Sequence, residues 1–534
     1  MGGSRGEIVV DLTRRDVAKL SLLGGAAVAL PLERAIGGPA TLANRIATSA
    51  LPLPFTVPFA KPPAIWPVRS DATTDYYRVS MEPAMTEIIP GLQTMVWGYN
   101  GSVPGPTFRV LKGRQSVVRQ VNNLPGRHPV LDYTPWTSVH LHGSASLPQY
   151  DGYASDICNP GQWKDYVYPN KQQARTLWYH DHGVHHTAQN VFMGLAGMYI
   201  MTDAVEQALP IPHGEYDVPL IVSDMMFNAD GSLLFNLDED SGFYGDVIAV
   251  NGRPWPLMKV QRRKYRFRIL NASVSRSYRW SLSDGRPMTV IASDAGLMAA
   301  PRNVTSLRHA PAERYEVVID FARYAPGTRI TLRNSSPKNN VNFANVDKVM
   351  AFEVTGDPFD PANNTVPAVL EPYQPVMALT AADSMRTRQF VFRRDGGEWV
   401  INNRTWEDVV RSNFTLALAT TNKNDVETWE LRNPSGGWHH PIHVHLVDFK
   451  ILSRNGRPAQ PWEQGAKDVV FLGENETIRL LIKFDGGFGK YMMHCHNLVH
   501  EDHDMMGQFV VLDGANVADD PFSVPARNLP ETPL

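Results

Sequence analysis

Short runs of alternating apolar and polar residues, each closed by Gly, Pro, Asn or Asp, recur along most of the chain, and they restrict its fold more than any other feature. Ser116-Val117-Val118-Arg119-Gln120-Val121, Tyr265-Arg266-Phe267-Arg268-Ile269, Tyr315-Glu316-Val317-Val318-Ile319 and Thr477-Ile478-Arg479-Leu480-Leu481 are examples. Successive side chains of a strand point to opposite faces, so such alternation describes strands with one buried face. Stretches with helical periodicity are few. With 40 Gly and 41 Pro in 534 residues, turns come often and strands must be short. Many short strands between frequent turns build sandwiches and barrels, so the predicted fold class is all-β. In the basic stretch Arg262-Arg263-Lys264-Tyr265-Arg266-Phe267-Arg268, the same alternation predicts Tyr265, Phe267 and Ile269 inside and the basic residues on a solvent face.

Two Pro-rich, weakly patterned stretches, near residues 204–219 and 357–375, divide the body into three β segments of ordinary domain size. They place domains at 51–205, 206–357 and 387–534, with 358–386 as a linker. Ahead of them, Arg14-Arg15 precedes an apolar run over residues 20–32, too short to span a bilayer. Paired arginines before such a run form a bacterial export address. Residues 1–50 are therefore read as a twin-arginine-type signal and leader, with Ala27-Val28-Ala29 as one cleavage site, and the mature chain as periplasmic or extracellular without a membrane span. The 51 basic and 54 acidic residues nearly balance, which provides no electrostatic field for nucleic acid or an anionic membrane. A monomer is expected.

Ten of the seventeen histidines fall in four windows: His140-Leu141-His142, His180-Asp181-His182, His440-Pro441-Ile442-His443-Val444-His445 and His494-Cys495-His496-Asn497-Leu498-Val499-His500. The only cysteines are Cys158 and Cys495, which excludes a disulfide scaffold. One His-x-His on a strand puts two imidazoles on one face, about 6–7 Å apart, and alone is more often a hydrogen-bonded pair than a metal site. Three such pairs with a His-Cys-His change that balance. A thiolate with imidazoles favours copper or zinc, and one or two closed zinc sites would leave several histidines without a role. On a strand, His494 and His496 face one side and Cys495 the other, so the thiolate can serve one centre while its neighbours serve another behind it. Met505 follows ten residues later. A Cys, two His and a weak axial Met describe a blue-copper electron-transfer site.

With their flanks, Ser138-Val139-His140-Leu141-His142-Gly143, Trp178-Tyr179-His180-Asp181-His182, Trp438-His439-His440-Pro441-Ile442-His443-Val444-His445 and the stretch from His494 to Glu501-Asp502-His503-Asp504-Met505-Met506 resemble the multicopper oxidases. Within that family the chain is most similar to the bilirubin oxidases, with spore-coat laccases and phenoxazinone synthases near, over residues 52–513. Gly245-Asp246-Val247-Ile248-Ala249-Val250-Asn251-Gly252 and Lys467-Asp468-Val469-Val470 add weaker similarity. The resemblance implies three cupredoxin-like Greek-key domains and four copper ions. His440, Cys495, His500 and Met505 would hold the type 1 copper, and His140 and His443 the type 2 copper. His142, His180, His182, His445, His494 and His496 would hold the type 3 pair.

The implied reaction couples one-electron oxidation of a small phenolic, aminophenolic or tetrapyrrole substrate to reduction of O2 to water. Electrons would enter at an exposed edge of His440 or His500 and leave Cys495 through His494 and His496. Asp151 and Glu501 match the family's proton-relay carboxylates. Trp438 would form a wall of the substrate site, and Asp181 and Asp448 would orient ligand imidazoles. Oxidation of Cu(I) or Mn(II) is the second enzymatic reading, and a copper-free scaffold of the same fold is the non-enzymatic one. The loop Leu124-Pro125-Gly126-Arg127-His128-Pro129-Val130-Leu131-Asp132-Tyr133 and His439 depart from the bilirubin-oxidase pattern. His128, His185, His186, His213, His309, His439 and His503 are read as structural or surface residues, and Cys158 as a buried small hydrophobe.

Overall fold

A computed structural model describes residues 44–236, 240–371, 373–514 and 520–534. Arg14-Arg15, the apolar run after them and Ala27-Val28-Ala29 lie outside the described residues.

Strands gather into six sheets that succeed one another in pairs along the chain. The first pair spans 69–202 and gains the C-terminal strand Arg527–Asn528 beside Gln162–Tyr168; the second spans 217–354 and the third 386–512. One pairing pattern occurs three times. In each pair, one sheet contains a parallel pairing of an early strand with a middle one: Thr74–Thr86 with Gln115–Asn122, Asp217–Met225 with Lys264–Asn271, and Arg386–Asp395 with Val426–Asn433. The other sheet pairs a middle strand parallel to the last: Gly105–Leu111 with Ala196–Thr202, Leu257–Val260 with Lys348–Val354, and Ala419–Asn422 with Met506–Leu512. Parallel neighbours cannot be joined by a tight hairpin, so each connection must cross to the opposite sheet, which closes a sandwich. Helices are short; Thr187–Met193 has 7 residues. Among the described residues, no helix is long and apolar enough to cross a membrane.

Each pair encloses its own apolar core. In the third, Ile478, Leu480 and Ile482 of strand Glu476–Lys483 pack with Trp429, Phe484 and Phe509. A further cluster crosses the boundaries. It joins Trp178 and Ile200 of the first pair, Ile221 and Leu270 of the second, and Val469 and Leu498 of the third. The three units are therefore packed against one another by apolar contact around the ends of the histidine strands.

The basic stretch departs from its sequence reading. Tyr265, Phe267 and Ile269 do point into a core, but Arg263, Arg266 and Arg268 are fully buried too. The second face of this sheet meets protein rather than water: helix Ala204–Ala208, strand Arg175–Asp181 and the stretch at 360–363 cover it. Arg268 grips Asp217 at 2.7 and 3.0 Å, Glu316 at 2.8 Å, Glu206 at 2.7 Å and the Thr176 hydroxyl at 3.0 Å. Arg266 adds bonds to Glu316 and Glu206. Arg263 lies 3.5 Å over the Tyr216 ring and donates to the carbonyls of Ala362 and Asn363. Buried guanidinium groups persist because carboxylates and carbonyls replace their water.

Arg268→Met should remove the one guanidinium shared by all three carboxylates, leaving Arg266 and Arg109 to hold them, and cost about 3–5 kcal/mol. Denaturant unfolding with domain-specific probes measures this, and a loss below about 1 kcal/mol would show that the network is dispensable.

Candidate metal centre

Antiparallel pairing brings the histidine windows together two by two. Val139–His142 lies beside Arg175–Asp181 with His140 opposite His180. His440–Val444 lies beside Gly489–Cys495 with His443 opposite His494 and Ile442 opposite Cys495. The two pairs of strands belong to the first and third sheet pairs and meet end to end.

Eight imidazoles at this meeting, each at most 1% exposed, form three nests whose inward atoms lie within 4.8 Å of one another. One nest contains His140, His443 and His445, a second His142, His180 and His496, and a third His182, His445 and His494. The Nε2 atoms of His140 and His443 stand 3.3 Å apart, those of His182 and His494 3.2 Å, and those of His445 and His494 3.1 Å.

A fourth nest lies on the other face of the His494-Cys495-His496 strand. His440 Nδ1 and His500 Nδ1 are 3.2 Å apart, and Cys495 Sγ is 3.5 Å from each. His500 stands on the short helix Leu498–Asp502, which Asn497 caps. Met505 is fully buried in the same apolar cluster as Cys495, and its backbone bonds Cys495 and His500 at 3.0 and 2.9 Å.

These residues fit a metal on three grounds. First, most of the rings are anchored by one nitrogen and leave the other free. His140 meets the Asp151 carbonyl, His142 the Asp468 carboxylate, His180 the Asp181 carbonyl, His443 the Asp468 carbonyl, His445 the Asp151 carboxylate and His500 the Ser241 carbonyl. Metal-bound histidines are held in this way. Second, His142 Nδ1, His180 Nε2 and both nitrogens of His496 are buried with no hydrogen-bond partner. Third, burial pushes these imidazoles down, to about 3 for His180 and His440 and about 4 for His182. In the pairs His140–His443 and His445–His494 the other nitrogen of each ring faces an oxygen acceptor and takes the ring's one proton, so the facing nitrogens oppose lone pairs that a shared cation would satisfy. Two nitrogens about 2.0–2.1 Å from one tetrahedral ion would stand about 3.3 Å apart. Burial also pushes the Cys495 thiol well up, so a thiolate there needs a counter-charge. Neutral imidazoles with one thiolate suit copper or zinc.

Of the predicted carboxylates, Asp151 lies 2.8 Å from His445 Nδ1 and is pushed well above the usual range by burial. Glu501 lies 2.9 Å from His494 Nδ1 and 3.6 Å from His182 Nε2. Asp181 and Asp448 do not hold imidazoles with their carboxylates. Asp181 accepts from Ser138, Gly183 and Asn190, and Asp448 forms a two-pronged pair with Arg175 at 2.6 and 2.8 Å. Besides Asp151 and Glu501, the acid that does this is Asp468, to which sequence reasoning gave no role at the site. Strand Val469–Leu472 pairs with His440–Val444, and only that register carries Asp468 to the site.

The expected exposed histidine edge is absent as well. His440 and His500 are both fully buried. Trp399 stacks on His500 at 3.8 Å and 28° and donates to the Asp240 carbonyl at 2.7 Å. Trp438 is half-buried, 5.3 Å from Trp399 and 6.0 Å from His500. Trp178 stacks on His180 at 4.0 Å. The other seven histidines stand outside the four nests.

Three family models described as multicopper oxidase match residues 81–206, 178–355 and 372–515. The chain is 43% identical to the bilirubin oxidase of Albifimbria verrucaria over 520 residues, 92% of this chain and 88% of that protein. The chain belongs to the multicopper oxidase family. This oxidase is also 36% identical to the laccase of Bacillus stratosphericus, over 82% of its own length and 95% of that protein. It superposes on the multi-copper oxidase of Pediococcus acidilactici with a TM-score of 0.77 and 28% identity, covering 87% and 93% of the two chains. Its three sheet pairs are cupredoxin-like domains, and it is a copper-dependent oxidoreductase that uses O2.

Cys495→Ser in this oxidase should abolish the intense blue thiolate-to-copper absorption while the imidazole nests still take up metal. Optical spectra with metal analysis check this; a persisting blue band would remove Cys495 from the site.

Proposed function

We propose that this oxidase holds four copper ions and couples one-electron oxidation of phenols, aminophenols or tetrapyrroles such as bilirubin to four-electron reduction of O2. Bound copper supplies the electron transfer and the oxygen reduction. His440, Cys495, His500 and Met505 hold the type 1 ion, His140 and His443 the type 2 ion, and His142, His180, His182, His445, His494 and His496 the type 3 pair. The observation that carries this reading is the His494-Cys495-His496 strand. Its thiol faces one nest and its two imidazoles face the others, so a few covalent bonds connect them. The domains divide at 51–205, 206–357 and 387–534, with 358–386 as linker, and the chain is exported by the twin-arginine route and works as a monomer.

The remaining steps belong to the chain's own residues. Trp438 forms the wall against which a flat substrate lies, and Trp399 keeps the His500 ring in place behind it. The Ser241 carbonyl holds the outer nitrogen of His500 at 2.9 Å and so fixes its tautomer. Asp151 keeps a proton at Oδ1, which has no protein partner, while Oδ2 remains on His445. Burial favours that neutral acid. Glu501, between His494 and His182, hands on the second proton. Burial of His440, Cys495, His500, His494 and His496 keeps water away from groups that carry single electrons.

The identity to a bilirubin oxidase supports the tetrapyrrole arm and that to a laccase the phenol arm. Oxygen consumption by copper-loaded protein should be rapid with bilirubin and with a dimethoxyphenol and slower with Cu(I) or Mn(II). Uptake with the metal ions alone would replace this reading by a metal oxidase. Asp151→Asn should leave bleaching of the blue band by substrate fast and slow turnover with O2 by about 100-fold or more. Stopped-flow and steady-state rates separate the two steps, and unchanged turnover would remove Asp151 from the relay.

A further inference from the structure

Arg314 opens strand Arg314–Asp320 of the second domain, the domain that contributes no histidine to the nests. It is fully buried. All five N–H groups of its guanidinium are used, and they reach all three domains. Nε donates to the Thr176 carbonyl of the first domain at 2.9 Å. Nη1 and Nη2 donate to the carbonyls of Ala312 and Asp294 in the second, at 3.1 and 3.0 Å. The same two nitrogens grip both oxygens of Asp468 in the third domain, each at 2.6 Å. Asp294 strengthens the junction by accepting from the backbone of Arg314, Asp468 and Val469.

Asp468 connects this junction to the imidazoles. Its Oδ1 lies 3.1 Å from His142 Nε2, and its main-chain carbonyl lies 2.8 Å from His443 Nδ1. The two rings stack on each other at 3.7 Å and 17°. A carboxylate fixed by a guanidinium can only accept, so His142 must carry its proton on Nε2 and present the lone pair of Nδ1, the nitrogen with no protein partner. Gly143, directly after His142, has φ +88° and no Cβ. A Cβ there would stand 2.6 Å from Arg314 Nη2 and 2.8 Å from Asp468 Oδ2. The ligand strand is thus shaped to admit the Arg314–Asp468 pair against its end.

We infer that Arg314 is a positioning residue of the three-ion cluster: through Asp468 it sets the tautomer and seat of His142 and the seat of His443, so that the second domain shapes a site to which it gives no ligand. The inference rests on the copper reading above. A monodentate or missing partner would let Asp468 turn away, and His142 could then present the wrong nitrogen.

The test uses full-length, copper-loaded protein with Arg314→Met and Arg314→Lys. Three readouts apply: the blue type 1 band, the paramagnetic resonance signal of the type 2 ion, and resistance of cluster copper to a chelator. Arg314→Met should keep the blue band, which reports a folded third domain, alter the type 2 signal, and release cluster copper at about 10–100-fold lower chelator concentration. Arg314→Lys, which keeps a cation beside Asp468, should recover part of that retention. Unaltered retention and signal in Arg314→Met would overturn the inference. So would joint loss of the blue band and cluster copper with no recovery in Arg314→Lys, which marks general support of the fold. Absence of cluster copper from the unaltered chain would instead overturn the copper reading, and this inference with it.

Discussion

Imidazole nitrogens from residues 303 positions apart, His140 and His443, face each other at 3.3 Å in a buried site, with the other nitrogen of each ring on a main-chain carbonyl. Much of the architecture follows from that contact. Neutral rings cannot be packed with their lone pairs opposed unless a cation is shared, and an isolated cation cannot be buried unless ligands surround it. The first and third domains therefore meet through groups that could hold a metal as well as through the apolar cluster that joins them. The surrounding shell is rigid for the same reason, since each anchored ring must keep one nitrogen directed inward.

The second domain has a larger part than a spacer. Its sheet presents arginines on a face that would otherwise be wet; Asp217 and Glu316 of the same sheet balance them, and they reach Thr176 of the first domain and Glu206 on helix Ala204–Ala208. Its Arg314 then reaches the third domain through Asp468. Such buried pairs are a weak source of net stability, but breaking one leaves a charge with nothing around it, so they hold a unique arrangement. That property suits a centre whose imidazoles come from two domains and must keep fixed separations.

The strand between the two kinds of nest uses the elementary alternation of β structure for redox connection. Cys495 points into an apolar core with Met505 and Ile442, and His494 and His496 point the opposite way. Burial of His440 and His500 behind Trp399 and the Ser241 carbonyl means that a substrate meets indole and backbone before imidazole. On the proposed reading, this keeps water from the Cys495 nest and favours flat donors that can lie against Trp438.

Alternation, turn residues and the spacing of ten histidines and one cysteine were enough to predict an all-β chain of three domains and the residues of a metal centre, because strand periodicity is local and a ligand's chemistry is carried by its own side chain. Local pattern could not tell whether the face bearing Arg266 and Arg268 is wet, since that depends on what another domain lays over it. It could not choose Asp468 over Asp181 or Asp448 as the acid beside the imidazoles, since all three are single acids near strand ends and only sheet register selects one. Trp399 on His500 and Arg314 at the three-domain junction were likewise decided by tertiary structure alone. Each acts across a long sequence separation, and the free energy that places it comes from packing of whole domains, to which no short stretch of sequence is sensitive.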